Sequence, residues 1–254
     1  MTKRPVLILG GGSDIGLAIA RRFAAESYPI QLAARRPDEL EPERADIALR
    51  HGVEVTLHRF DALEIEQIEA FFDNLPDTPG VVVCAVGLLG DQAEAEGNPR
   101  HARLVAETNF IGPMCALECA AARLAKLNEE TAIIGISSVA GDRGRAVNYW
   151  YGASKAALTA ALSGMGQCYA GSKLHVMTVK PGFVATKMTA GLDLPGALVA
   201  DPAKLANLVY ASFLKKTYTV TPLIWRLIML IIKNIPEGIF RKFKRNSKHR
   251  VAQL

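Results

Sequence analysis

Tyr151 and Lys155 stand four residues apart in Tyr151-Gly152-Ala153-Ser154-Lys155. That spacing places both side chains on one face of a helix. An ammonium group beside a phenol favours the phenolate, so the pairing predicts a Tyr151 pKa brought down toward neutrality. A tyrosine tuned in this way donates a proton to a carbonyl or removes one from an alcohol. Thirteen residues before Tyr151, Ser138 sits in Ile136-Ser137-Ser138-Val139-Ala140-Gly141, at the end of an apolar run.

A second motif lies near the N-terminus. The run Val6–Leu9 leads directly into Gly10-Gly11-Gly12-Ser13-Asp14-Ile15-Gly16 and then the helical pattern Leu17-Ala18-Ile19-Ala20. Glycines at a strand-to-helix turn let backbone N–H groups approach a pyrophosphate at the helix N-terminus. Asp14 is expected to cap that helix and face away from the anion. The second apolar run ends Ala33-Ala34-Arg35-Arg36. An acid there binds a ribose 2′-hydroxyl, whereas an arginine accommodates a 2′-phosphate. Arg35, with Ser13 as a second contact, therefore points to NADP, with NADPH preferred and NAD left open. The alternative is a pair of solvated loop arginines.

These groups need rigid elements behind them. Val6–Leu9, Ile30–Ala34, Val53–Leu57, Val81–Ala85, Ala132–Ile136, Leu174–Val179 and Tyr218–Val220 read as seven strands. Most are continuous apolar runs, as expected where helices cover both faces of a sheet. Helical patterns fall near 15–26, 38–50, 64–73, 100–127, 151–170 and 202–215. The alternation predicts an α/β, doubly wound Rossmann fold, with a seven-stranded parallel sheet and helices on both faces. Residues 1–220 are expected to form the dinucleotide-binding and catalytic domain. Residues 221–254 would then be an apolar helix and a basic tail.

Taken together, these motifs resemble the short-chain dehydrogenase/reductase family over about residues 1–220. The sequence departs from the family pattern at Leu9 (usually Thr), at Asp14 (usually Gly) and at Cys84-Ala85 (usually Asn-Asn). The resemblance implies hydride transfer between a nicotinamide cofactor and a carbonyl. It gives Tyr151 the role of general acid in reduction, and Ser138 that of polarising the carbonyl oxygen. Lys155 would tune Tyr151 and bind ribose hydroxyls, and Asn109 would support a water path to that lysine. For the cofactor it implies Gly10, Ser13, Asp14, Ile15 and Gly16 at the first turn, and Asp61 and Ala62 at the adenine edge. Ala85 and Gly87 follow the fourth strand, and Pro181, Val184 and Thr186 would stand at the nicotinamide.

The chain has 254 residues, half of them hydrophobic and 22% charged, so global disorder is excluded. Its net charge is +5, but Arg241, Lys242, Lys244, Arg245, Lys248 and Arg250 fall within the last 14 residues, with no acid among them. Without those six the formal charge is −1, which argues against a nucleic-acid-binding body and for a localised anionic partner. The four cysteines form no CxxC pair and are expected as buried small hydrophobes; the five histidines are scattered, and no metal site is expected. Val6–Leu9 is too short for a signal-peptide core and reads as the first strand of a cytoplasmic protein.

Residues 223–232, Leu-Ile-Trp-Arg-Leu-Ile-Met-Leu-Ile-Ile, are apolar nearly all round but far short of the ~20 residues that span a bilayer. With the basic flank they suit a helix lying on anionic lipid, peripheral on the inner face of the cell membrane. The other reading is a helix buried in an oligomer interface, and a homo-oligomer is expected. Gly87-Leu88-Leu89-Gly90-Asp91, Gly141-Asp142-Arg143 and Ile235-Pro236…Ile239-Phe240-Arg241-Lys242 are similar to family members that reduce a polyprenyl-phosphate-linked 2-keto sugar in concert with a flavin oxidase. That resemblance implies a lipid-linked keto substrate and a flavin oxidase partner. Two alternatives stand beside it: a soluble ketoreductase for an unrelated carbonyl or acyl substrate, and a non-catalytic dinucleotide sensor. The sensor would be expected to have lost Tyr151, Lys155 or Ser138, and all three are present.

Overall fold

Short apolar runs become the centre of a sheet because both of their faces can be buried at once. In the computed structural model, which describes residues 3–243, they form one seven-stranded parallel sheet. Its strands are β1 (Val6–Leu9), β2 (Ile30–Ala34), β3 (Val55–Arg59), β4 (Val81–Cys84), β5 (Thr131–Ile136), β6 (Leu174–Val179) and β7 (Thr219–Val220). The spatial order is β3-β2-β1-β4-β5-β6-β7, and every pairing is parallel. The order reverses between β1 and β4, which opens a crevice at their carboxyl ends.

Successive side chains leave a strand on opposite faces. Val6 and Ile8 join a core with Phe23 of α1 (Asp14–Ala24), Ile47 of α2 (Glu41–His51) and Val209 of α8 (Pro202–Leu214). Leu7 and Leu9 join the opposite core. That core also contains Phe72 of α3 (Ile68–Asp73), Leu117 of α6 (Gly112–Leu124) and Leu158 of α7 (Tyr149–Cys168).

Four local expectations are corrected. β3 begins at Val55 rather than Val53, and its ladder with β2 runs on through His58 and Arg59. The pattern over 64–73 divides into a 3₁₀ turn at Ile65–Gln67 and α3. The expected helix 100–127 is instead α5 (Pro99–Ala106), a π-helical turn at Glu107–Ile111 and α6, preceded by the unforeseen α4 (Gln92–Gly97). The free cysteines are not uniformly buried, since Cys168 at the end of α7 is exposed.

The C-terminal segment folds back onto the body. α9 (Leu223–Asn234) buries Trp225 and Met229 against Val139, with Phe183 and Leu198 alongside. Gly182 makes this approach possible: a Cβ there would sit 1.9 Å from the Trp225 ring. Arg143 closes the far end by donating to the carbonyls of Ile232 at 2.7 Å and Ile235 at 2.5 Å. It also pairs with Glu237 and covers the Phe240 ring of α10 (Glu237–Phe240) at 3.9 Å. Cations near a helix C-terminus satisfy its last carbonyls. The outer face of α9 leaves Leu223, Ile224, Leu227, Leu230 and Ile231 exposed. Among the described residues no helix is long and apolar enough to cross a membrane. The basic tail residues Lys244, Arg245, Lys248 and Arg250 lie outside the described residues.

Trp225→Ala removes the largest member of this third cluster and should destabilise the protein by about 3 kcal/mol. A lower urea midpoint at unchanged slope is the expected reading.

Candidate functional site

The glycine turn crosses the crevice between β1 and β4. Gly10 adopts φ +83°, in the left-handed region, and a Cβ on it would lie 2.8 Å from the Val86 nitrogen. Only glycine fits there without strain. The next turn opens α1, and its cap is Ser13, not Asp14 as expected: the Ser13 hydroxyl accepts from Gly16 N at 3.0 Å. Asp14 instead accepts from the backbone N–H of Lys187 at 2.6 Å, with the Lys187 ammonium 4.0 Å away. Its carboxylate thus joins the first turn of α1 to the loop after β6.

Around this turn lies a cavity of about 270 Å³. Ser13, Asp14 and Ile15 line it from one side, Ala85 and Gly87 from the end of β4, and Pro181, Val184 and Thr186 from the loop after β6. Ser138, Tyr151 and Lys155 complete it. Gly10 and Gly16 form the backbone of the turn beneath. Arg35, Asp61 and Ala62 do not line this cavity. Arg35 is exposed at the end of β2; Arg36 pairs with Glu39, whereas no carboxylate among the described residues pairs with Arg35. Asp61 accepts from Leu63 N in a tight turn, and Ala62 is buried in the core. Residues not anticipated here are Gly12, Val86, Ser137, Gly182, Lys187, Met188 and Thr189.

The polar end of the cavity is built on β5 and α7. Ser138 takes extended backbone geometry at the end of β5, and its hydroxyl oxygen accepts from Ala140 N at 3.1 Å. Its hydrogen remains free to donate, and the Ser138 hydroxyl acts on Tyr151 in the direction that lowers the phenol pKa. Lys155 is 3% exposed and donates to the carbonyl oxygens of Ile136 at 3.0 Å and Val86 at 3.5 Å. Burial lowers its pKa from 10.5 to about 8. Its ammonium lies 5.9 Å from the Tyr151 ring centroid.

One expectation about this pair is overturned. Burial raises the Tyr151 pKa above its usual value, outweighing the Ser138 hydrogen bond and the charge of Arg145, which pull it down. The helical spacing brings Lys155 to the correct face, but the ammonium turns to backbone carbonyls. Asn109 is fully buried within the π-helical turn. It accepts from Leu88 N at 3.1 Å and donates to Leu88 O at 2.6 Å, fixing the loop after β4. Its side-chain oxygen would lie 3.2 Å from a Cβ on Gly87. The four candidate catalytic residues therefore meet around one corner of the crevice.

A second, smaller chamber of about 140 Å³ adjoins the first and shares Ser138, Tyr151, Gly182, Met188 and Thr189 with it. Gln92, Arg145 and Asn148 line it together with Leu192 and Leu194. Ser138 and Tyr151 thus stand where two compartments meet. Among the described residues no cluster of His, Cys, Asp or Glu could hold a metal ion.

The model of the family described as short chain dehydrogenase matches residues 4–194. The chain belongs to the short-chain dehydrogenase/reductase family. It is an oxidoreductase. Its relatives include an uncharacterized oxidoreductase of Mycobacterium tuberculosis, 31% identical over 245 residues, 95% of this chain and 97% of that one. An uncharacterized oxidoreductase of Streptomyces coelicolor is 34% identical over 94% of this chain and 95% of its own. Among solved structures, a short-chain dehydrogenase from Sphingobium yanoikuyae in complex with NADPH superposes with a TM-score of 0.79 at 22% identity, covering 96% of this chain and 97% of that one.

In this short-chain dehydrogenase/reductase, deprotonation of Lys155 removes a positive charge 5.9 Å from the Tyr151 ring centroid. Reduction should therefore slow as the pH rises through about 8, the Lys155 value. Lys155→Arg keeps a charge that does not titrate in this range, so its residual activity should lack that inflection in a pH–rate profile.

Proposed function

We propose that the chain catalyses NADPH-dependent reduction of a ketone, with a keto sugar or lipid-linked keto compound as substrate, at the inner face of the cell membrane. The observation that carries this reading is the position of Ser138 and Tyr151 at the join of the two compartments. One compartment suits a dinucleotide and the other a carbonyl compound.

The fit to a dinucleotide rests on the glycine turn at the N-terminus of α1: Gly12 lines the cavity, and a Cβ on it would meet only the Leu40 side chain at 3.6 Å, so the backbone there is open to an anion. Gly10, Ser13, Ile15 and Gly16 would hold the pyrophosphate, Asp61 and Ala62 would stand near the adenine, and Arg35 would meet a 2′-phosphate. Ala85, Gly87, Pro181, Val184 and Thr186 would surround the nicotinamide end. The NADPH of the Sphingobium enzyme supports the same cofactor here. When bound, that cofactor supplies the hydride.

The chain's own groups manage the oxygen. Ser138 donates a hydrogen bond to the carbonyl, which favours charge developing on its oxygen. Tyr151 delivers the proton that completes the alcohol, and the phenolate left behind is favoured by the charge of Arg145, with the Lys155 ammonium 5.9 Å from its ring. A raised Tyr151 pKa keeps the phenol protonated and ready to donate at neutral pH.

The exposed face of α9, flanked by Arg226, Lys233, Arg241 and Lys242, supports a peripheral position on anionic lipid. A flavin oxidase that produces the ketone is the proposed partner.

Tyr151→Phe should reduce turnover at least 100-fold while NADPH binding stays within about threefold in calorimetry, because little binding surface is removed. For the tail, a Leu227→Glu, Leu230→Glu, Ile231→Glu triple variant spares Trp225 and Met229. Full-length protein should float with phosphatidylglycerol vesicles and bind more weakly in high salt, and the triple variant should remain in the soluble fraction.

A further inference from the structure

The loop after β6 is braced at its base and crosses the crevice to α1. Ala185 N donates to Ala200 O and Ala200 N to Phe183 O, each at 2.9 Å, which ties the base of the loop to the chain beyond it. Within the loop, the Thr189 hydroxyl donates to Val184 O at 2.6 Å and accepts from Thr186 N at 3.1 Å. Thr186 and Thr189 thereby form a capping box around the 3₁₀ turn Lys187–Thr189. These bonds make residues 184–189 one stiff unit.

At the far end of that unit, Lys187 N donates to Asp14 Oδ2 at 2.6 Å, and the Lys187 ammonium stands 4.0 Å from Oδ1. Asp14 and Lys187 line the larger cavity from opposite walls, so the bond spans it from side to side. Among the described residues no other hydrogen bond joins residues 184–194 to α1 or to the glycine turn before it. The family pattern has glycine at position 14, and a glycine could not make this bond. A carboxylate beside an anion site weakens the attraction for phosphate unless its charge is engaged elsewhere. Here one oxygen accepts from the opposite wall and the other faces the Lys187 ammonium. An N–H donating to an ionised carboxylate also makes a stronger bond than one between neutral groups.

We infer that Asp14 and Lys187 form a clasp across the cofactor cavity, and that NADPH leaves only when this bond opens. The inference rests on the NADPH reading above and adds a control of cofactor exchange that the proposed cofactor contacts do not supply. Asp14 is a positioning residue in this scheme, since it acts through the loop after β6 and not on the reacting atoms. A clasp that opens for entry as well as exit changes rates more than affinity, because only a difference between the free and bound states alters the equilibrium.

Chasing protein-bound NADPH with excess NADP⁺ in a stopped-flow instrument, with nicotinamide fluorescence as the signal, measures release directly. Asp14→Ala removes the acceptor and should speed release about tenfold, the factor that corresponds to losing one hydrogen bond to a charged group. Lys187→Pro removes the donor from the other side. Thr186 before it has φ −139° and ψ 164°, which a following proline permits, and proline suits the first position of a helical turn. Release from this variant should quicken by a similar factor, and the double variant should be no faster than the faster single, because both remove the same bond. The NADPH dissociation constant should rise by less than the release rate. If Lys187→Pro does not fold, Asp14→Asn carries the test: it retains an acceptor without the charge, and its release should fall between that of the native protein and Asp14→Ala. Native release rates in Asp14→Ala overturn the inference, and so does a double variant in which the two factors multiply. Tighter NADPH binding with slower release in Asp14→Ala overturns it as well, by marking the carboxylate as no more than a repulsive neighbour of the phosphate. No binding of NADPH by the native protein in calorimetry overturns the NADPH reading itself, and the clasp with it.

Discussion

Lys155 is buried with backbone carbonyls as its partners and, among the described residues, no carboxylate paired with it, and that arrangement constrains much of its surroundings. A charge removed from water needs fixed dipoles around it. They come from Ile136 at the end of β5 and Val86 just beyond β4. The carboxyl ends of two adjacent central strands must therefore stay in register for the ammonium to be solvated. Ser138 follows two residues after Ile136, and the loop after Val86 is held by Asn109. The cluster of candidate catalytic residues is thus fixed by the sheet.

The same logic extends outward. The segment after Ser138 is tied to the loop after β6 through Val139 N to Pro181 O at 3.0 Å and through the Asp142–Lys180 ion pair. Val139 in turn supports Trp225, and Arg143 holds the last turn of α9. The C-terminal helix and the proton-transfer residues share one continuous set of contacts. Half-buried pairs such as Asp142–Lys180 fix geometry more than they add stability.

Much of this was legible in the residues. Val6–Leu9, Val81–Ala85 and Ala132–Ile136 read as strands because central parallel strands are buried on both faces. β3 was misplaced by two residues because it is an edge strand: its later part ends in His58 and Arg59, where an apolar count stops. The π-helical turn around Asn109 left no mark in hydrophobic periodicity, since helical patterns on either side simply run together. Trp225 could not be distinguished from its apolar neighbours in α9, because the apolar arc of that helix is wider than the strip that packs on the body; what selects Trp225 is the space left by Gly182, 43 positions away. The Tyr151–Lys155 spacing gave the correct face and the wrong electrostatics, because spacing does not reveal that carbonyls of two strands capture the ammonium. Gln92 was silent for a similar reason: its side-chain oxygen accepts from Trp150 N in α7, which only the tertiary fold brings to it.

The bond from Lys187 N to Asp14 spans 173 residues of sequence. The cavity floor belongs to the first few dozen residues, and its roof lies beyond β6. Synthesis delivers the floor early and the roof late. A growing chain can therefore display the glycine turn with nothing above it, and enclosure waits until most of the polypeptide exists. Contacts of such long separation are formed slowly because loop closure precedes any gain from the contact. Closing the crevice accordingly needs both parts of the chain at once, and a chain interrupted before Lys187 would carry the glycine turn without an enclosed site.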